Sequence, residues 1–235
     1  MKLTLRALTL MLLLLGVATV ASADNVPLTI NNGGNVTDGG VYVGPYNFTS
    51  NGHSLQLICD TFENDVFPPE TWMATTTNLS NLGGTLFGNP ASSLYSPNYT
   101  TQYQEAAWLA QQMFANLSNT QVVADIQWAI WDIFDAGKCG TQVSNCDPYG
   151  TPSNPNGNAA DPKGINGWLT AAGANYAGGD YSNVVIYTPT SGWPSQYGLP
   201  QEYIGLTSAP EPGSLMLIGT GLLSLVTFRR RRTSN

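Results

Sequence analysis

Strand-like patterning of apolar and polar positions runs from residue 26 to about 79 and then gives way to a helical period. Residues 26–79 read as β: Val41, Tyr42 and Val43 follow a Gly39-Gly40 turn. In the run 53–62, Leu55, Leu57 and Cys59 point to one face and Gln56, Ile58 and Asp60 to the other. Residues 71–77, rich in Thr and carrying Trp72, predict a further strand. Gly, Pro, Ser and Asn crowd residues 81–98, which predict a long loop.

Residues 102–117 place Ala106, Leu109, Ala110, Met113, Phe114 and Leu117 at i, i+3, i+4 spacing, the stripe of an amphipathic helix. Ser118, Asn119 and Thr120 offer N-caps for a second helix over 121–136, closed by Gly137. The short connection predicts an antiparallel pair. After a Gly/Pro/Asn-rich loop over 138–160, Asp161-Pro162 predicts an N-cap with proline at the first helical position, opening a third helix over 163–176. Residues 184–187 and 202–206 are strand candidates able to rejoin the first sheet. The predicted fold class is α+β: a sheet or barrel-like subdomain with an inserted helical subdomain.

Both ends read as addresses. Lys2 and Arg6 precede an apolar run over 7–20 and the small-residue site Ala21-Ser22-Ala23, which predicts a signal peptide over 1–23 cut by signal peptidase. At the other end, Gly213 to Phe228 is a stretch without charge, followed by Arg229, Arg230, Arg231 and Arg232. As a helix its 16 residues span about 24 Å, short of a hydrocarbon core of about 30 Å. Snorkelling arginines make a transient inner-membrane helix feasible, with its cationic end cytoplasmic. The exported domain is expected over 24–208 and the tail over 209–235.

Charge narrows the function. Between residues 24 and 208 only Lys138 and Lys163 oppose fourteen acidic side chains, a net charge of −12. Such a field repels phosphate backbones, so no nucleic-acid partner is expected. One His and three Cys leave little for a zinc site or a histidine-based hydrolase, and no metal or cofactor is expected. Asp132 and Asp135 lie three apart on one helix and read as a solvated face, not as facing carboxylates of a glycosidase.

Cys139 and Cys146 bracket a loop and, in an oxidising compartment, most simply form a local disulfide. Cys59 is then left over. It reads as an inert core cysteine on the Leu55/Leu57 face, as one half of an intermolecular disulfide, or as a reactive group. Gln127 lies along the apolar stripe of the second helix, four residues after Val123 and three before Ile130. A primary amide there needs partners, such as a backbone group of the adjacent sheet.

Two resemblances follow from these residues. Pro210-Glu211-Pro212, the apolar stretch with Gly219-Thr220-Gly221-Leu222, and the four arginines resemble the PEP-CTERM sorting signal. That resemblance implies a Gram-negative envelope protein processed by exosortase, displayed at the cell surface or in an extracellular polysaccharide matrix. Ile58-Cys59-Asp60 on an early strand, with Ile126-Gln127-Trp128-Ala129-Ile130 on a later helix, resembles the thioester domain of bacterial surface adhesins. It implies a Cys59–Gln127 cross-link at a sheet–helix junction, reacting with a surface amine or hydroxyl, with Asp60, Trp128 and Trp131 around it. Such a chain acts once and is not a turnover enzyme. The alternative is a non-covalent structural or carbohydrate-binding matrix protein with an inert Cys59.

Overall fold

The computed structural model describes residues 24–62, 64–135, 153–194 and 198–207. The predicted signal peptide, the Cys139–Cys146 pair and the sorting tail lie outside these residues. Six strands close into an antiparallel barrel: β1 (Asn25–Asn32), β4 (Tyr46–Ser50), β5 (His53–Cys59), β8 (Tyr203–Leu206), β7 (Val184–Ser191) and β6 (Glu70–Thr77), with β6 returning to β1. A two-stranded ribbon, β2 (Thr37–Asp38) and β3 (Val41–Tyr42), interrupts the path from β1 to β4. Among the described residues three helices lie between β6 and β7: α1 (Tyr99–Ala115), α2 (Thr120–Phe134) and α3 (Gly164–Asn175).

The alternation expected along β5 sets the two faces of the sheet. Leu57 and Cys59 share one face with Tyr46 and Tyr203, their register partners. On that face Phe48 meets Tyr203 with ring centroids 4.7 Å apart and Trp72 at 5.9 Å. Ile58, Ile204 and Ile186 pair in register on the other face. They too are fully buried, because the inserted helices cover it: α1 contacts β8 and α2 contacts β5. Burial on both faces at the end of β5 is why its second face carries Ile58 there, whereas Ser54 and Gln56 on the same face stay exposed.

Helix α2 is held between α1, α3 and β5. It buries side chains nearly all round, including Asp125 and Gln127, as a central helix must. Asn119 is its N-cap, accepting from the amides of Gln121 and Val122 at 3.2 Å each.

Several boundaries differ from the sequence pattern. Helix α1 begins three residues before the predicted start, with Tyr99 packed against Tyr95. The helix α3 starts at Gly164, not at Pro162. Asp161 uses Oδ1 for the amide of Lys163 and Oδ2 for the indole of Trp168, and so braces the preceding turn. Strand β7 runs through Pro189, which sits where the β6 register shifts between Met73 and Ala74. A bulge is where a strand tolerates a missing N–H. The stretch 81–98 is a loop with one 3-10 turn, Leu82–Gly84, yet it buries Leu86 and Phe87, and Phe87 stacks on Phe134 at 4.4 Å.

Candidate functional site at the strand–helix seam

Cys59 is the last residue of β5, and Gln127 sits mid-way along α2; both are completely buried. The fold brings them together. The Gln127 amide nitrogen donates to the backbone carbonyl of Cys59 at 2.7 Å, and its Oε1 accepts from the Gly44 amide at 3.4 Å. Both ends of the carboxamide are therefore engaged, as burial demands.

The Cys59 sulfur has two polar neighbours. The Trp131 indole N–H points at Sγ from 3.4 Å, and the thiol donates to the Thr61 carbonyl at 3.3 Å. Burial pushes the thiol well above its ordinary pKa, and the neighbouring Asp60 adds to the rise. The Trp131 and Thr61 hydrogen bonds oppose it without prevailing. Cys59 is thus a neutral thiol at neutral pH.

The predicted surroundings fall into place unevenly. Phe62, Trp128 and Trp131 form an aromatic cluster, Phe62 lying 4.9 Å from Trp131 and 5.8 Å from Trp128. Trp128, however, spends its indole N–H on Asp38, 2.9 Å away, and so ties α2 to the ribbon, not to the sulfur. Beside the cluster lies a cavity of about 210 Å³, lined among others by Tyr46, Phe62, Asp65 and Trp131. Trp131 therefore forms part of the cavity wall and touches the sulfur with the same ring system.

Asp60 turns away from the sulfur into a second buried group. Its Oδ1 accepts from the Thr61 hydroxyl at 2.9 Å, and its amide donates to the Glu202 carbonyl at 3.2 Å. Glu202 accepts from the Leu86 amide at 2.9 Å and from the hydroxyls of Tyr103 and Thr188. Burial, then the charge of Glu202, raises the Asp60 pKa strongly; burial raises Glu202 too, but its donors hold it back. Asp60 therefore keeps a proton while Glu202 carries the charge. Asp135, which caps α2 and accepts from the Phe62 amide at 2.9 Å, is pushed up to about 6 by burial.

Gly44, Thr61, Glu202 and Tyr103 were not legible as members of this region. None belongs to a motif: Gly44, Thr61 and Glu202 arrive through a turn or a strand end, and Tyr103 from the buried face of α1. Among the described residues no cluster of three or more His, Cys, Asp or Glu is arranged to hold a metal ion.

The pattern of the PEP-CTERM protein-sorting motif matches residues 208–232. The chain carries an exosortase sorting signal. That stretch contains Pro210, Glu211, Pro212 and all four arginines expected to form it. The PEP-CTERM motif marks a secreted, exosortase-processed protein of the cell surface or extracellular matrix. No curated protein matches the chain. Among the described residues no helix is long and apolar enough to cross a membrane.

Proposed function

We propose that this exosortase substrate is a surface-displayed covalent tether in which Cys59 and Gln127 close an internal thioester. The observation that carries the reading is the 2.7 Å hydrogen bond from the Gln127 amide to the carbonyl of Cys59 itself, between elements 68 residues apart. Two buried groups held by a strand and a packed helix have the high effective concentration that a ring closure needs. The Gly44 amide at Oε1 polarises the carboxamide where negative charge develops during attack.

The chemistry balances without a further reagent. Sγ bonds to the side-chain carbonyl carbon of Gln127, the C–N bond breaks, and the thiol proton leaves on nitrogen as ammonia. A target amine or hydroxyl later attacks the same carbon, and Cys59 departs as a thiol. Each chain acts once. Trp131 and Phe62, between the sulfur and the cavity, limit water access until a nucleophile docks. On this reading residues 1–23 are removed by signal peptidase, residues 24–208 are the displayed domain, and Cys139 with Cys146 staples a loop.

The rival reading is a non-covalent matrix protein, structural or carbohydrate-binding. It is favoured by the same hydrogen bonds in another light: the thiol is spent on Thr61 and both ends of Gln127 are satisfied without reaction. Intact mass after disulfide reduction separates the two. A closed ring makes the chain one ammonia lighter and lets methylamine add, both effects being lost in Cys59→Ala. A mass deficit of zero after reduction, with no methylamine adduct, discards the tether.

A further inference from the structure

On the β1–β4–β5 side of the barrel, three amide side chains stand in register across adjacent strands. Asn32 pairs with Asn47, and Asn47 pairs with Gln56. They form a relay: Gln56 Nε2 donates to Asn47 Oδ1 at 3.4 Å, and Asn47 Nδ2 donates to Asn32 Oδ1 at 2.7 Å. The Gly34 amide, also on Asn32 Oδ1 at 3.0 Å, fixes the end of the row. This arrangement leaves the Gln56 oxygen free as an acceptor and the Asn32 nitrogen free as a donor, both on exposed residues. Neighbouring strands are about 4.8 Å apart, so the outer amides stand about 10 Å from each other, the scale of a disaccharide.

The row lies in a cleft. A cavity of about 870 Å³ is lined by all three amides together with Asn31, Ser54 and the half-buried ring of Phe114. A second, of about 160 Å³, shares Asn47 and Gln56 and continues to Val123. No charged side chain lines either cavity. The cleft opens because β5 pairs with β8 only over Leu57–Cys59, whereas Ser54, Leu55 and Gln56 have no partner on that side.

From this geometry we infer that the cleft binds a neutral polysaccharide. Oriented amides offer paired donors and acceptors to sugar hydroxyls, and the Phe114 ring offers its electron-rich face to sugar C–H groups. A uronate or sulfate polymer would meet an acidic domain with no cation in the cleft to pair with it. A peptide adding to the open edge of β5 would run along that strand and reach Gln56 alone; the relay runs across the strands. The inference is independent of the thioester.

The test is affinity electrophoresis of the full chain in native gels containing dextran, laminarin or galactomannan, with alginate as the anionic comparison. Retardation by a neutral glycan is expected. It should weaken about tenfold in Asn32→Ala and Gln56→Ala, the loss of one or two hydrogen bonds to a neutral ligand. Asn32→Asp keeps the size of the side chain and its acceptor oxygen but removes the free donor, and should weaken binding too, at an unchanged thermal midpoint. Cys59→Ala should bind as the wild type does. Retardation by none of the three neutral glycans, by alginate alone, or equally in the amide variants would overturn the assignment. So would loss of binding in Cys59→Ala, or displacement of the glycan by an extended polythreonine peptide.

Discussion

Gln127 reaches from α2 to the final residue of β5, its amide nitrogen 2.7 Å from the carbonyl oxygen of Cys59. Its other end holds Gly44, which precedes β4, so a single side chain joins the helical insertion to two segments of the barrel. This junction has structural value whether or not it reacts, because removing the carboxamide strands two buried backbone groups at once. The sulfur and the amide are positioned by separate means: strand pairing with Tyr203 fixes Cys59, and helix packing fixes Gln127.

Gly44 should be the most sensitive small residue near the site. Its φ is +114°, and a Cβ built there would lie 2.5 Å from Val123 Cγ1. Gly44→Ala is expected to cost about 2–5 kcal/mol, from backbone strain plus overpacking. Adding Val123→Ala should relieve the contact but not the strain, recovering only part of the loss. Urea melts of the three variants measure this. Full recovery in the double variant would show that the backbone angle costs nothing.

How much of this was legible follows from what each signal measures. The helical stripe is a local period, so α1 and α2 were visible, and Gln127 stood out as an amide on an apolar face. The alternation in β5 placed Cys59 correctly beside Leu57. The pattern predicts only 184–187 for β7, yet the strand continues through Pro189, which is tolerated beside the β7 bulge where Thr190 is extra opposite Met73 and Ala74. Glu202 gave no sign of its role. Its partners Leu86, Tyr103 and Thr188 lie at unrelated points of the chain, and their meeting depends on barrel closure. The amide relay was hidden for the same reason: Asn32, Asn47 and Gln56 become neighbours only once register is set.

The Asp60–Glu202 pair predicts an asymmetry. Glu202 receives three donors, which hold its charge, whereas Asp60 lies beside Glu202 and is raised by burial and by that neighbour. With the proton on Asp60, Asp60→Asn exchanges one neutral donor for another and should change stability by less than about 1 kcal/mol. Glu202→Gln turns an acceptor into a donor facing donors and should cost about 2–3 kcal/mol. Denaturant unfolding at neutral pH compares them directly. The opposite order would put the proton on Glu202.

Stability should fall as pH rises through the weakly acidic range. Asp125 is raised to about 7, chiefly by burial, with Asp161 adding to the rise and the Asn154 and Gln121 donors opposing it. Asp135 is raised to about 6. Both ionise near pH 4 in an unfolded chain. Below about pH 4 folded and unfolded states are equally protonated at these sites. Above it the unfolded chain releases protons that the folded protein still holds, so unfolding gains ground until the folded groups ionise as well. The thermal midpoint should therefore drop between about pH 4 and pH 7, and the strongly raised Asp60 carries the fall on above that range. Asp135→Asn should flatten that fall up to about pH 6, and Asp125→Asn should flatten it up to about pH 7, since each amide stays neutral throughout. Differential scanning fluorimetry across the range reads this out. A midpoint that climbs with pH, or slopes unaltered by both substitutions, would show that these carboxyls are ionised in the folded protein.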